Sequence, residues 1–310
     1  MAISVKEINF EQMGKCVEIS NGDAQLVVTI ERGPRIISYK AFGGENIFFV
    51  DNSFTVCSDS PTIKEAYGKD KYLMLGGHRV WSTPERLPET YYPDDVAVSW
   101  EQTESGVKFT PPVQANGIAY TVTVALAESG AGVTVTQTVT NAAHMDEWYT
   151  APWAITQVRK GGVMVAPQNT RQCAPLANRV FVFWPYTNMN DDRFTASDRY
   201  IKLRQDPTMN SSCKFGFNNE AGWAGYAVDG QLFIKKFPFD EKADYPDYGC
   251  NYESYTDANS LEVESLGGQV MLAKGETVSH VETWDILPAG GQFPCEKAEQ
   301  FDDIIDSLVK

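Results

Sequence analysis

The segment Tyr120-Thr-Val-Thr-Val-Ala-Leu126 is followed by Glu128-Ser-Gly-Ala-Gly132 and then by Val133-Thr-Val-Thr-Gln-Thr-Val139. In the two outer segments apolar and polar residues alternate, which places the apolar side chains on one face of a β-strand. The middle segment is short and rich in small residues, so it predicts a turn. The three segments together predict a pair of antiparallel strands with one face in a hydrophobic core.

The same alternation recurs over much of the chain. Asp229-Gly230 separates two further alternating segments and is a strong hairpin signal. Because strands recur at short spacing with turn residues between them, the sequence favours a sandwich or a barrel. The other segments predicted as strands are Gln25–Glu31, Arg35–Tyr39, Gly222–Val228, Gln231–Phe237, Asn251–Thr256, Ser260–Leu266, Gln269–Leu272 and Val278–Ile286.

Helical periodicity is confined to the C-terminal end. The segment Ala298–Val309 carries an apolar stripe at helical spacing, formed by Phe301, Ile304, Ile305 and Leu308. We expect this helix to pack on the outside of a sheet. The segments 51–95 and 167–200 are poorly periodic, and loops of this length in a compact domain are usually functional or cover a ligand.

Composition and charge exclude several classes of partner. The 310 residues include 26 basic and 41 acidic ones, which gives a formal net charge of −15. Such a surface repels phosphate backbones and anionic lipids, so neither nucleic acid nor a membrane is expected as a partner. No apolar run approaches the roughly 20 residues of a membrane span, and the first ten residues have no signal-peptide pattern. No linker divides the sequence, so residues 1–310 are expected to form one domain.

The cysteines are widely separated in the sequence, at Cys16, Cys57, Cys173, Cys213, Cys250 and Cys295. They form no Cys-x-x-Cys pair, and the three histidines are far apart, so no zinc site is expected. We interpret the cysteines as free thiols of a cytoplasmic protein, with disulfides as the alternative. Nucleophile-elbow, phosphate-loop and dinucleotide-binding motifs are absent as well, and we expect no metal and no organic cofactor.

Six groups of short motifs follow one another along the chain. They are Gly33–Ser38 with Gly43–Ile47; Gly76–Trp81 with Pro84-Glu85 and Tyr91–Asp94; Ala151–Gln157; Trp184–Tyr186; Lys214 with Gly222-Trp223 and Phe233–Phe237; and Tyr245–Asp247 with Gly249–Glu253 and Leu261–Gly267. In this order they resemble a little-characterised bacterial branch of the galactose mutarotase-like superfamily, which is related to aldose 1-epimerases. The resemblance implies an all-β fold, a mostly antiparallel β-supersandwich with the C-terminal helix added.

The resemblance is incomplete at the positions that would carry chemistry. Aldose 1-epimerases look to use two histidines, an aspartate and a late glutamate, and His78 stands where their first histidine falls. Where the second would fall this sequence has Pro152-Trp153, and the stretch that would carry the glutamate is shortened after the strand 260–266. The standard pair of histidines is therefore not reproduced residue for residue.

The best site signal lies in the loop that begins at Gly76-Gly77. Glycines let a backbone approach a ligand closely, and His78 and Arg79 follow them with donors for hydroxyl groups. Trp81, Tyr91 and Tyr92 offer ring faces that stack on the apolar faces of sugars. The alternative is a structured loop with a hydrogen-bonded histidine and packed aromatic residues.

Strand alternation adds binding candidates. Trp153 and Gln157 share a strand face, so Trp153 would stack on a ligand and Gln157 would bond a hydroxyl; alternatively, Trp153 is a core residue and Gln157 lies near a strand end. Lys235 is flanked by aromatic residues on its face and would donate to a ligand or to a glutamate, unless it extends to solvent from an edge strand. Trp184 is expected in another wall of the cleft.

Two glutamates, Glu253 and Glu262, are candidate acid–base groups. Glu253 and Glu262 fall in motifs that carry the resemblance. Glu262 and Glu264 share a strand face and would raise each other's pKa if enclosed, whereas on an exposed face they would be ordinary solvated residues. The exposed case is expected for Glu264.

Two hypotheses follow for function. In the first, the protein is a cofactor-free isomerase of the aldose 1-epimerase type, with His78 as the acid and Glu253 or Glu262 as the base. In the second, it holds a mono- or oligosaccharide without converting it. In both, the candidate residues are expected to converge on one concave surface.

Overall fold

The computed structural model describes residues 2–290 and 298–309. Its strands are β1 (Ser4–Asn9), β2 (Lys15–Ser20), β3 (Ala24–Thr29), β4 (Ile36–Ala41), β5 (Cys57–Ser58), β6 (Tyr72–Leu73), β7 (Gly77–Ser82), β8 (Ser99–Thr103), β9 (Gly106–Thr110), β10 (Ile118–Leu126), β11 (Val133–Asn141), β12 (Glu147–Thr150), β13 (Pro152–Val158), β14 (Val163–Pro167), β15 (Phe181–Phe183), β16 (Phe194–Ala196), β17 (Tyr200–Arg204), β18 (Cys213–Phe217), β19 (Trp223–Val228), β20 (Gln231–Lys236), β21 (Tyr252–Thr256), β22 (Leu261–Leu266), β23 (Val270–Ala273) and β24 (Thr277–Pro288). The helices are α1 (Pro61–Tyr67), α2 (Pro246–Gly249) and α3 (Ala298–Leu308), and short 3-10 turns lie at Glu11–Met13 and Glu89–Tyr91.

The strands form two ten-stranded antiparallel sheets. The first, which we call the front sheet, has the order β1-β2-β3-β4-β7-β13-β22-β21-β18-β15, and the second, the back sheet, has the order β16-β17-β14-β19-β20-β24-β11-β10-β9-β8. Two short pairs, β5 with β6 and β12 with β23, lie outside them. The all-β, mostly antiparallel architecture predicted from the sequence is confirmed.

The strand pair predicted from Tyr120–Leu126 and Val133–Val139 lies in the back sheet. β10 and β11 pair over nine residues, with Val122 opposite Gln137 and Val124 opposite Val135. Their buried valines join Leu26 of β3 in one hydrophobic cluster between the sheets. Burying a side chain of this size contributes roughly 1.5–3 kcal/mol, so the alternation of these strands fixes which face meets the front sheet.

The centre of the front sheet is covered on both faces. Every residue of β7, β13 and β22 is buried, although only one face of these strands meets the back sheet. We expected the segment 51–95 to be an irregular loop, and that expectation is wrong for Gly77–Ser82, which forms the central strand β7. Since β7 is buried on both faces, it lacks the polar and apolar alternation by which an exposed strand is recognised.

The C-terminal helix packs on the outside of the back sheet, as predicted. Phe301 and Ile305 of α3 form a cluster with Val165, Leu232 and Ile234 of that sheet. No helix in residues 2–290 and 298–309 is long and apolar enough to cross a membrane.

The described residues contain five cysteines, all of them free thiols: Cys16, Cys57, Cys173, Cys213 and Cys250. Cys295 lies outside the described residues. The described part of the chain brings no three His, Cys, Asp or Glu side chains into an arrangement that could hold a metal ion.

Candidate functional site

A cleft of about 410 Å³ lies on the outer face of the front sheet, opposite the face that meets the back sheet. Its lining combines aromatic rings with charged and amide groups: Arg79, Trp81, Glu85, Tyr91, Trp153, Gln157, Trp184, Tyr186, Ser212, Lys214, Tyr255, Asp257, Ser260 and Glu262, with Val56, Cys57, Met74 and Ile155. This volume falls within the roughly 300–1,000 Å³ of small-molecule sites. We call it the main cleft.

Strand register brings the floor of the main cleft together. β13 lies between β7 and β22, with Ile155 opposite Arg79 on one side and Gln157 opposite Glu262 on the other. Because alternate residues of a strand point to the same face, Arg79, Gln157 and Glu262 all project outward. Residues that are 183 positions apart in the chain, Arg79 and Glu262, thereby become neighbours.

Two glycines let β7 enter the sheet close to its neighbours. A Cβ atom at Gly76 would lie 2.2 Å from the carbonyl oxygen of Phe49, and one at Gly77 would lie 2.3 Å from that of Ile36. Both glycines also have positive φ, 95° and 65°, which disfavours any other residue. The glycine pair therefore sets the position of the strand that carries Arg79.

Aromatic rings form the walls of the main cleft. The ring centroid of Trp81 lies 5.5 Å from that of Trp153 and 5.2 Å from that of Tyr91, and both pairs are edge-on. Trp184 and Tyr186 close another side, as expected for the segment Trp184–Tyr186. Rings held in this way give a ligand rigid apolar surfaces at little cost in side-chain entropy.

Arg79 is the central donor of the floor. It is 2% exposed, its guanidinium stacks 4.2 Å from the ring centroid of Trp81, and its Nη2 donates to Glu262 Oε1 at 3.4 Å. Its Nε and Nη1 have no hydrogen-bond partner among the described residues, and the same holds for Gln157 Oε1. Unpartnered buried polar groups are costly, so a ligand that supplies their partners would gain affinity.

Glu262 faces Arg79 across the floor. Burial raises the pKa of Glu262 to about 7; Arg79 opposes the rise and the nearby Glu264 adds to it. The carboxyl group therefore changes charge near neutral pH, in contrast to an ordinary exposed glutamate.

A buried ionic group, formed by Lys214, Glu253 and Glu264, adjoins the floor, and Lys214 itself lines the cleft. Lys214 Nζ is 2.7 Å from Glu253 Oε2 and 3.4 Å from Glu264 Oε2. Burial raises the pKa of Glu253 well above its usual range. Burial disfavours the charge of Lys214, but Glu253 and Glu264 outweigh it and raise the lysine pKa. The group therefore keeps Lys214 charged, whereas Glu253 binds its proton more tightly than an exposed glutamate does.

The same ionic group fixes two of the tryptophans. Lys214 Nζ lies 4.7 Å from the ring centroid of Trp153 and 4.5 Å from that of Trp184. Trp153 Nε1 also donates to Glu264 Oε2 at 2.8 Å. Glu264, which we expected on an exposed face, is fully buried, because these rings cover it.

His78 and Lys235 do not lie in the main cleft, and the expectation that they line it is wrong. His78 is adjacent to Arg79 and therefore points to the opposite face, where its Nε2 hydrogen-bonds with Gln137 Oε1 of the back sheet at 3.0 Å. Lys235 projects from the back sheet and donates to Glu282 Oε1 at 2.8 Å. Both side chains are buried between the two sheets.

These two residues belong to a polar cluster that we call the intersheet network; it comprises His78, Gln137, Thr156, Lys235, Ser265, His280 and Glu282. Lys235 Nζ donates to the carbonyls of Ala154 and Val263 at 2.9 and 3.0 Å. Burial lowers the pKa of His78 to about 3 and that of His280 to about 4. The histidines are therefore neutral, and Lys235 and Glu282 form the ion pair.

The depressed pKa of His78 leads to a prediction about stability. Between its unfolded pKa of about 6.5 and its folded pKa of about 3, the unfolded chain binds a proton that the folded protein excludes, so the free energy of unfolding falls as pH is lowered. From pH 7 to pH 5 this one group should remove about 2 kcal/mol. Urea unfolding at both pH values should show a larger loss in the wild type than in His78→Gln, and equal losses would contradict the assignment.

Two further predicted residues lie near the main cleft but do not line it. Tyr92 packs against Tyr67, with ring centroids 4.8 Å apart, and its hydroxyl accepts from the backbone of Ala115; the preceding residue, Tyr91, takes the place at the cleft. Glu253 shares the outer face of the front sheet with Glu262 but does not line the cleft, and its carboxylate lies against Lys214. The predicted residues Arg79, Trp81, Trp153, Gln157, Trp184 and Glu262 do converge on the main cleft.

Lys214 lines the main cleft but was not among the predicted site residues, although it belongs to one of the motifs that carry the resemblance. It lies in β18, where Cys213, Phe215 and Phe217 alternate with Lys214 and Gly216. A lysine opposite three apolar residues is the usual pattern of a solvated strand face. The pattern alone gave no sign that this face is covered.

Comparison with known proteins finds similar structures but no close relatives. A galactose mutarotase-like protein from Lactobacillus casei matches with a TM-score of 0.53 and 16% identity, over 88% of this chain and 100% of that one. The Slr1438 protein from Synechocystis matches with a TM-score of 0.53 and 11% identity, over 94% and 97% of the two chains. A TPR-domain containing protein from Parabacteroides distasonis matches with a TM-score of 0.59 and 12% identity, over 92% of this chain and 49% of that one, so this chain spans about half its length.

No protein-family model matches the sequence, and no curated protein matches it. Identities of this size establish a common fold and leave the activity open.

Proposed function

We propose that this chain, which has the galactose mutarotase-like fold, binds a saccharide in its main cleft. The proposal rests on polar atoms of the floor that have no hydrogen-bond partner among the described residues. They are Nε and Nη1 of Arg79 and the side-chain oxygen of Gln157, and they lie next to the carboxyl of Glu262. A hydroxyl group both donates and accepts hydrogen bonds. A ligand with several hydroxyls on a rigid ring is the simplest one that satisfies donors and acceptors at such short spacing.

The aromatic walls support the same ligand class. The C–H faces of a pyranose are apolar, and Trp81, Trp153 and Trp184 offer ring surfaces around the polar floor. A purely apolar ligand would leave Arg79 and Gln157 without partners, and that carries the cost of buried unsatisfied groups. A polar ligand without apolar faces would gain nothing from the tryptophans.

Binding is tested by isothermal titration calorimetry and thermal shift against glucose, galactose, mannose and their oligomers. At least one sugar is expected to bind, and at 100 times its Kd it should stabilise the fold by about 2.7 kcal/mol. Binding that is undetectable for every sugar in the panel would overturn the proposal.

The pKa of Glu262 makes saccharide binding pH-dependent. The ionised carboxylate accepts hydrogen bonds from hydroxyls and pairs with Arg79, whereas the protonated form loses the ion pair. With a pKa of about 7, the ionised fraction rises about tenfold between pH 6 and pH 8, and the affinity should rise by the same factor. Glu262→Gln should bind more weakly and with a flat pH profile. If the affinity of Glu262→Gln depends on pH as the wild type does, a group other than Glu262 titrates.

A second function, interconversion of anomers, is favoured by the same carboxyl group. A group with a pKa of about 7 is half ionised at neutral pH and can both take and give a proton. This route assigns the base to Glu262 and gives no role to His78, which is buried between the sheets. Polarimetry of freshly dissolved glucose and galactose measures the rate of anomer interconversion. A rate that exceeds the rate in buffer alone, and that falls to the buffer rate in Glu262→Gln, would support turnover. A wild-type rate equal to that of buffer alone would contradict it.

A further inference from the structure

A second cavity, of about 420 Å³, adjoins the main cleft. The two share four lining residues, Glu85, Tyr91, Trp153 and Trp184. The remaining lining of the second cavity consists of Ser58, Pro84, Leu87 and Asp247. Because the two cavities have a common boundary, a ligand longer than one sugar ring can run from one into the other.

The boundary between the two cavities is rigid. Trp153 is held by its hydrogen bond to Glu264 and by Lys214, and Trp184 also lies against Lys214. On the other side, the hydroxyl of Tyr91 donates to Glu85. Fixed aromatic residues at a junction give consecutive sugar rings surfaces to stack on without further loss of side-chain freedom.

The lining of the second cavity determines the charge of its ligand. Two carboxylates, Glu85 and Asp247, line it, and none of its described lining residues is a lysine, an arginine or a histidine. A ligand group with a negative charge would be repelled there. Hydroxyl groups can donate to the two carboxylates, and Leu87, which is 49% exposed, offers apolar contact.

We propose that the main cleft and the second cavity together bind a neutral oligosaccharide of at least two units, with one unit over Arg79 and Glu262 and the next beside Leu87 and Asp247. This inference rests on the proposed function, since it assumes that a saccharide occupies the main cleft. It adds a second subsite and excludes acidic sugars from that subsite.

Calorimetry with sugars of increasing length tests the second subsite. The probes are glucose, galactose and mannose, their neutral 1,4-linked dimers and trimers, and a dimer that contains glucuronic acid. The best neutral dimer should bind at least about tenfold more tightly than its monomer, which corresponds to about 1.4 kcal/mol. Equal affinities for monomer and dimer, or a preference for the acidic dimer, would overturn the inference.

Variants of the second cavity alone separate this inference from the proposed function. Ser58→Trp fills the second cavity. The dimer should then bind no more tightly than the monomer, and the affinity for the monomer should be unchanged. Leu87→Ala should reduce the affinity advantage of the dimer over the monomer about threefold. Leu176→Ala is the matched control, because Leu176 is 77% exposed and lines neither cavity. If Ser58→Trp weakens monomer and dimer equally, or changes neither, the second cavity is not a subsite. If no sugar binds the wild type, the proposed function itself fails.

Discussion

Replacing Lys235 with methionine is expected to lower the free energy of unfolding by about 3–5 kcal/mol, the cost of leaving one charge of a buried pair without its partner. Lys235 is fully buried, and its Nζ donates to Glu282 Oε1 at 2.8 Å. It also donates to the carbonyls of Ala154 and Val263. Methionine fills a similar volume but supplies no donor, so the carboxylate and both carbonyls lose a partner.

Urea unfolding followed by circular dichroism measures this effect. Lys236→Met is the matched control, because Lys236 follows Lys235 in the same strand but is exposed; it should change stability by less than about 0.5 kcal/mol. The double variant Lys235→Met with Glu282→Gln should recover part of the loss, since it removes both charges. Equal effects of Lys235→Met and Lys236→Met would contradict the assignment of Lys235 to the intersheet network.

Replacing Arg79 with methionine is expected to weaken saccharide binding about 100-fold, or by about 2.7 kcal/mol. Arg79 supplies the unpartnered N–H groups of the floor and holds the charge of Glu262. Loss of the guanidinium removes hydrogen bonds to the ligand and also favours the protonated form of Glu262.

The affinity of Arg79→Met should be measured at pH 8, where most of the wild-type Glu262 is ionised. Arg171→Met is a suitable control, since Arg171 pairs with Glu220 on the surface, with its side chain 54% exposed, and does not line the cleft. Circular dichroism and unfolding curves establish that each variant is folded. A folded Arg79→Met protein with wild-type affinity would place the ligand elsewhere.

Strand alternation predicted the architecture where a strand has one apolar and one polar face. β10 and β11 show the pattern over their full length, and the pairing follows from the turn between them. β7 was missed as a strand because its residues do not alternate between polar and apolar. Both its faces are buried, and a strand that is covered on both sides does not require an exposed polar face.

The site was predicted in part, and the errors have a common physical cause. His78 and Arg79 are adjacent, so only one of them can face the cleft, and the sequence does not show which face of β7 meets the other sheet. The resemblance to aldose 1-epimerases favoured His78, whereas the structure places Arg79 there. Lys235 was wrongly assigned to the cleft for the same reason, because the sequence does not show which face of its strand meets the other sheet.

Glu264 illustrates the limit of local patterns. On its own strand it looks like part of a solvated face, but Trp153 and Lys214 cover it. These residues come from strands 111 and 50 positions away in the chain. Burial imposed by distant segments leaves no mark on the periodicity of the strand itself.

Saccharide binding in the main cleft is tested most directly by a crystal structure of the protein with the sugar that gives the largest thermal shift. Electron density for a sugar ring is expected in the main cleft, with hydroxyl oxygens within hydrogen-bond distance of Arg79 and Glu262. One ring face should lie against a tryptophan of the wall, Trp81, Trp153 or Trp184. Sugar density elsewhere on the molecule, with an empty main cleft, would contradict this proposal.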